Sequence, residues 1–241
     1  MEEDLHIDRH ISRRYNEELA GLHASVLAMG GMVESQCRDA LDALLEGDAE
    51  LAARVAASDR EINQMEVDIS ARCTDILVRR QPAASDLRMI LAVIRVISDL
   101  ERVGDEAEKV GRLALKFKES HGRQSWSAES RHLGDSVIGM LRGALDAFAR
   151  LDVGAAIATA GRDPEVDREF DSLTRLMITH MMEEPQKVRG MLQVNWCARA
   201  LERIGDHAVN ICEQVIYLVE GSDVRHLSLD TIRQRFPTTE E

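Results

Sequence analysis

From Ile11 onward apolar residues recur at intervals of three and four: Leu19, Leu22, Val26, Met29, Val33, Cys37, Ala40, Leu41 and Leu44. That period predicts an amphipathic helix. Gly47-Asp48 breaks it, and Asp48 is placed to cap a second helix, which carries Leu51, Val55, Ile62, Met65, Ile69, Cys73, Ile76 and Leu77. Arg80-Gln81-Pro82 ends that helix, because the residue before a proline is pushed out of the α region. Ser85 or Asp86 is expected to cap a third, running through Leu91, Ile94, Ile97, Val103, Val110 and Leu113. Residues from about His121 to Ala128 are polar and read as a linker. Strand-like alternation of Val, Ile, Thr and Tyr is absent.

The same plan then repeats. Arg38-Asp-Ala-Leu-Asp-Ala43 matches Arg142-Gly-Ala-Leu-Asp-Ala147, 104 residues later. At that offset Asp48 answers to Asp152, Asp59 to Asp163, and Glu61-Ile62 to Glu165-Val166. Pro82 answers to Pro185, and Leu100-Glu-Arg-Val-Gly-Asp105 matches Leu201-Glu-Arg-Ile-Gly-Asp206 at an offset of 101. Ordered matches at a nearly constant offset mean an internal duplication. The expected fold is all-α: two tandem three-helix bundles, residues 1–120 and 121–241, with six principal helices and no sheet.

Composition agrees. Of the 241 residues 44% are hydrophobic and only 3% aromatic, with four prolines. Ala, Leu, Arg, Glu and Met dominate, and these lose little entropy in helices. The formal net charge of -13 speaks against nucleic acid as a partner, since binding it requires Lys and Arg to neutralise phosphates. It speaks equally against a polybasic membrane anchor. The acidic opening, Met1-Glu-Glu-Asp-Leu-His-Ile-Asp-Arg-His10, has no apolar core of a signal peptide. The longest apolar run, Met89 to Ile94, is far short of the roughly 20 residues a membrane span needs. A cytoplasmic protein without direct membrane insertion is expected. Cys37, Cys73, Cys197 and Cys212 fall within apolar helical patterns and are expected as buried, reduced thiols.

Chemistry concentrates in the repeated segment. Glu101 and Asp105 lie four apart on a helix, as do Glu202 and Asp206, so each pair shares one face and its like charges repel by a few tenths of a kcal/mol. Gly104 and Gly205 lie inside the same helices, at a cost of about 1 kcal/mol each relative to Ala. The preceding helix offers Asp163 and Asp167, and in the first unit Asp59 and Asn63. If the second and third helices of each unit are antiparallel with these stretches facing, four oxygen-bearing side chains converge. Such a cluster suits a divalent or ferric cation, Mg, Mn, Fe or Zn. The neutral Asn63 predicts a weaker first site. The competing reading is a solvated face on which Arg102 and Arg203 form local ion pairs, and Asp163-Pro164 also reads as a plain N-cap and N1 pair. Glu129-x-x-His132 resembles half of a di-iron motif but occurs once. His207 flanks Asp206 where the first unit has Glu106, and Met177, Met181 and Met182 read as core. There is no phosphate-binding Gly-x-x-x-x-Gly-Lys-Ser/Thr loop and no nucleophile–base pair, so catalysis has no positive signal.

Leu100-Glu-Arg-Val-Gly-Asp-Glu-Ala107 and Leu201-Glu-Arg-Ile-Gly-Asp-His-Ala-Val-Asn-Ile211 resemble the duplicated motif of the PhoU family. Arg79-Arg80-Gln81-Pro82-Ala83-Ala84-Ser85-Asp86-Leu87-Arg88 is similar to the segment before its first copy, and Gly221-Ser-Asp-Val-Arg-His226 to its C-terminal end. The resemblance covers nearly the whole chain. It implies two three-helix bundles related by an internal pseudo-twofold and metal at Glu/Asp-x-x-x-Asp pairs, here Glu101 with Asp105, Glu202 with Asp206, and Asp163 with Asp167. Asp59-x-x-x-Asn63 departs from that pattern by one amide. It also implies a homodimeric, non-enzymatic negative regulator of the phosphate regulon. Such a regulator is an adaptor between the ATPase subunit of the phosphate ABC transporter and the regulon's sensor histidine kinase, which it restrains when phosphate is plentiful. The alternative is a metal-dependent carboxylate-bundle enzyme, with a structural or storage bundle behind it.

Overall fold

The structure is a computed structural model that describes residues 13–117 and 126–237. The expected division at residue 120 and most of the expected linker lie outside them, as does the acidic N-terminal stretch. Every regular element among the described residues is helical. In order these are α1 (Arg13–Glu46), α2 (Ala49–Arg80), α3 (Ala84–Phe117), α4 (Ser127–Arg150), α5 (Val153–Ala160), α6 (Asp163–Glu183), a 3₁₀ turn (Pro185–Lys187), α7 (Val188–Glu220) and α8 (Leu229–Arg235). None is long and apolar enough to cross a membrane.

The repeated caps work as chemistry requires. Asp48 accepts from the backbone N–H groups of Glu50 and Leu51 at 2.9 and 3.0 Å, and its repeat partner Asp152 accepts from Ala155 at 2.8 Å. These bonds satisfy donors that a helix start leaves orphaned. Gly47 takes φ +69, where a side chain would be strained. Gln81 ends α2 in the left-handed region at φ 45. Two expectations shift. Neither Ser85 nor Asp86 caps α3: the helix starts at Ala84, Leu87 N–H donates to Ala83 at 2.8 Å, and Asp86 lies buried in the first turn. The fifth principal helix is broken at Gly161-Arg162 into α5 and α6, and the short α8 is added. Arg162 holds the N-cap position of α6 with no side-chain bond, so Asp163 is not the cap and its carboxylate is left for other work.

Each third helix packs on the first two of its own unit: α3 on α1 and α2, α7 on α4 and on α5 with α6. The most extensive packing, however, joins α3 to α7 and makes the two bundles one body. Arg95 donates to Gln214 at 3.2 Å, Asp99 bonds His207 at 2.9 Å and Glu106 meets Arg203 at 2.7 Å. Numbers rise along α3 as they fall along α7, so the pair is antiparallel, and Gly104 and Gly205 sit at matching heights near its centre. Val96, Leu100 and Val103 of α3 and Ile204, Ala208 and Ile211 of α7 are buried, each large side chain contributing about 1.5–3 kcal/mol relative to exposure. The four cysteines are free and buried. Burial pushes the thiols of Cys37, Cys197 and Cys212 up to about 12 and that of Cys73 to about 11, so these are inert core residues.

The two seam glycines face inward, each toward its own bundle, and differ in what they allow. A Cβ on Gly104 would stand 3.2 Å from the Gln36 Oε1 atom, and Gln36 is held by its bond to the Val55 carbonyl at 3.2 Å. A Cβ on Gly205 would meet nothing closer than Val166 at 3.6 Å, an ordinary contact. Gly205→Ala therefore gains most of the helix-propensity difference of about 1 kcal/mol, expected as a Tm rise of about 2–4 °C in a thermal melt, and Gly104→Ala gains less. A Tm that falls with Gly205→Ala contradicts the packing described.

Candidate functional site

The expected antiparallel meeting of second and third helices occurs twice. In the first unit Asp59 and Asn63 on α2 come to Glu101 and Asp105 on α3. Asn63 Nδ2 donates to Asp59 Oδ2 at 3.0 Å, which leaves Asn63 Oδ1 and Asp59 Oδ1 buried without hydrogen-bond partners. Burial, and then the nearby Asp105 carboxylate, raise the pKa of Asp59. Burial raises Glu101 also, followed by the charges of Asp105, Glu66 and Asp59, against a weaker opposing pull from Arg102.

In the second unit Asp163 is pushed up to about 6 by burial and then by Asp167 and Asp206. Glu202 is raised by burial and by Asp206, with Asp167 and Asp163 adding to it and Arg199 opposing. Arg199 bonds Glu202 Oε1 at 2.6 Å, while Glu202 Oε2 is buried with no partner. Burial raises Asp206 too, and interactions with His207, Arg199 and Arg203 offset part of that rise. All eight expected residues thus fall into two groups, one per repeat. The solvated-face reading fails for Glu202, which is only 8% exposed. Arg203 acts on Asp206 but spends its ion pair across the seam, on Glu106 of α3.

The sequence reading missed Glu66. It lies three residues beyond Asn63 and seven beyond Asp59 on the same stripe of α2, a spacing that extends the helical face by one turn. At the repeat offset its counterpart is Phe170, so only the first group has it. With Glu66 the first group holds four carboxylates, Asp59, Glu66, Glu101 and Asp105, as many as the second with Asp163, Asp167, Glu202 and Asp206. Counted with Glu66, the first group carries no less formal charge than the second. Arg199 was also missed; its counterpart is Ser98, so only the second group contains a bonded cation.

The donors are all oxygens, several with raised proton affinity and three with an unpartnered buried atom, which is the chemistry of a site for a hard cation. As the side chains stand, no three or more His, Cys, Asp or Glu residues among the described residues form a group that could hold a metal ion. Elsewhere, His132 Nε2 lies 3.1 Å from Glu169 Oε1 across an α4–α6 groove, a simple pair rather than half of a di-iron centre. His207 is buried with its ring bonded to Asp99 across the seam, and it flanks Asp206. Of the three methionines expected in the core, Met177 is buried and Met181 packs against the core, but Met182 is exposed.

Two segments of the chain, residues 26–114 and 130–215, each match the sequence model of the PhoU domain. The chain belongs to the PhoU family. The phosphate-specific transport system accessory protein PhoU of Escherichia coli K12 is 42% identical over 231 residues, covering 95% of both chains. The homologue of that accessory protein from Pseudomonas putida is 49% identical over 223 residues, 92% of this chain and 87% of its own. The crystal structure of PhoU from Pseudomonas aeruginosa superposes with a TM-score of 0.84 at 48% identity, covering 86% of this chain and 100% of that one. That of the phosphate transport system regulatory protein PhoU from Streptococcus pneumoniae gives 0.81 at 30% identity, over 87% and 99%. These relatives are named as accessory and regulatory proteins, not enzymes, and the family's general role in regulating phosphate transport extends to this chain.

The raised Asp163 has a measurable consequence. Its folded-state pKa of about 6 lies above the unfolded value of 3.8, so the folded chain binds this proton more tightly. Its contribution to stability is present at low pH and is lost as pH rises from about 4 through 6. The Asp163→Asn variant should therefore gain more Tm over its parent at pH 7 than at pH 4.5, in metal-free buffer. An equal difference at both pH values contradicts the clustering.

Proposed function

We propose that this protein is a cytoplasmic, homodimeric adaptor that restrains the phosphate regulon. It would stand between the ATPase subunit of the phosphate ABC transporter and the sensor histidine kinase, and silence the kinase when phosphate is abundant. The observation that supports this best is likeness to named phosphate-transport accessory proteins over 95% of the chain, in the presence of two carboxylate groups placed alike in the two repeats.

In this reading Asp59, Asn63, Glu101 and Asp105, joined by Glu66, hold one divalent or ferric cation. Asp163, Asp167, Glu202 and Asp206 hold a second. Water completes each shell, and Mg, Mn, Fe or Zn are all compatible with oxygen donors of this kind. A bound cation supplies the charge that offsets the carboxylate repulsion. The protein's residues do the rest: α2 with α3, and α6 with α7, hold the donors on facing helices, and Arg199 restrains one oxygen of Glu202. The faces then meet partners through electrostatic complementarity, which governs specificity and encounter rate.

Replacing Glu202 by Gln together with Asp206 by Asn removes like-charge repulsion, so the fold should hold or gain slightly. The expected outcome is an unchanged or raised Tm together with loss of silencing of phosphate-starvation genes in rich phosphate, read with a reporter. The variant should also recover less ATPase subunit and kinase in pull-downs. Normal silencing would show ordinary surface, and a collapsed melt would show a structural role.

A further inference from the structure

Beyond the Glu106–Arg203 contact, the C-terminal half of α3 and the N-terminal half of α7 leave a groove of about 520 Å³ between them. Lys109 and Arg112 stand on one wall and Arg199 and Arg203 on the other, with Glu106 the single acidic lining residue. Glu202 bonds Arg199 at 2.6 Å and Glu108 bonds Arg112 at 3.0 Å from beside the groove, so four cations meet three carboxylates, a local charge of +1 in a chain whose formal net charge is -13. The guanidinium groups keep further donors free for a ligand. Glu106 is buried and shared, with Lys109 at 2.9 Å and Arg203 at 2.7 Å on the same oxygen. Arg112 is 55% exposed beside Glu108.

Trp196 lies in this groove and is 55% exposed, while the chain's other tryptophan, Trp126, is 4% exposed. Val188 and Leu192 precede Trp196 at intervals of four on α7 and are exposed as well, at 36% and 38%. The three make an apolar stripe about 12 Å long that runs into the basic groove. Clustered exposed apolar surface of this kind marks interaction sites, and Trp and Arg carry a disproportionate share of interface energy.

We infer that this groove docks an acidic amphipathic helix of a protein partner, with an apolar side chain of that helix seated against Trp196. The walls are two antiparallel helices, a cleft into which a third helix lays its apolar face. The stripe matches two turns of such a helix, and the excess positive charge with its exposed guanidinium donors favours acidic residues on its flanks. A small anion would satisfy the cations but leave Val188 and Leu192 uncovered. The inference rests on the reading that the chain works through protein partners; of the groove's cations only Arg199 bonds a proposed metal ligand, Glu202, and the variants tested leave Arg199 unchanged.

The test uses the full chain and a synthetic amphipathic peptide of Glu and Leu with one Phe, about 15 residues long so that its helix is viable. Its Lys-for-Glu counterpart, ATP and inorganic phosphate are compared with it. The acidic peptide should shift Trp196 emission to shorter wavelength and bind saturably, more weakly in high salt. Followed by anisotropy of labelled peptide, binding should weaken about tenfold or more in Trp196→Ala, and likewise in Lys109→Gln with Arg112→Gln, both with parental melts. The inference is overturned if the peptide does not bind saturably, if the Lys peptide binds as well, or if ATP or phosphate displaces it. Self-association that Trp196→Ala abolishes would also overturn it, since the occupant would then be a second copy. Should Trp196→Ala recover the transporter ATPase and the kinase normally, the groove is excluded and the adaptor reading survives.

Discussion

Where α3 meets α7, two amphipathic helices with broad apolar faces make the most extensive packing of the molecule. Ile90, Val93, Val96, Ile97, Leu100, Val103, Ala107 and Val110 of α3 are all buried, too wide a surface for one neighbouring pair of helices to cover. Packing α3 on α7 buries the remainder and fuses the two repeats. The polar groups caught in that seam are paired across it: Asp99 with His207, Glu106 with Arg203. Burying them unpaired would cost far more than the pairs return, so these bonds fix the register of one bundle against the other.

That register decides where the carboxylates go. With their apolar faces committed to the seam and to the bundle cores, α3 and α7 turn Glu101 with Asp105, and Glu202 with Asp206, toward the neighbouring second helices. Both acidic groups are therefore by-products of one packing solution used twice. They are not identical. The first is closed by Glu66 and an amide, the second by two aspartates on α6 and tempered by Arg199. The break at Gly161-Arg162 puts Asp163 at the head of a helix instead of in its middle, as Asp59 is.

Much of this was legible in the chain itself. The three-and-four period located the long helices, the duplicated Leu-Glu-Arg-x-Gly-Asp segment paired the two units, and the spacing of four put eight site residues on facing stripes. What escaped had specific causes. Glu66 has no equivalent in the second repeat, so a search guided by duplication passed over it. The break between α5 and α6 does leave a mark, Pro164 in the first turn of α6, but read only as the N1 partner of Asp163 it does not by itself divide the fifth principal helix. The α3–α7 pairs are invisible locally, because Glu106 and His207 differ between repeats and bond residues of the other bundle. Gly104, a cost in helix propensity, stands where a Cβ would come within 3.2 Å of Gln36 Oε1, a close approach from another helix that the local pattern does not reveal.

The central claim is that duplication built two separate cation sites on one helical frame. Titration of the metal-free full chain with Mn²⁺, followed by electron paramagnetic resonance of the free ion, tests it directly. The account predicts two ions bound per chain, one lost in Glu101→Gln with Asp105→Asn and the other in Glu202→Gln with Asp206→Asn. Stoichiometry unchanged by either double variant, or no binding to the parent chain, would contradict it.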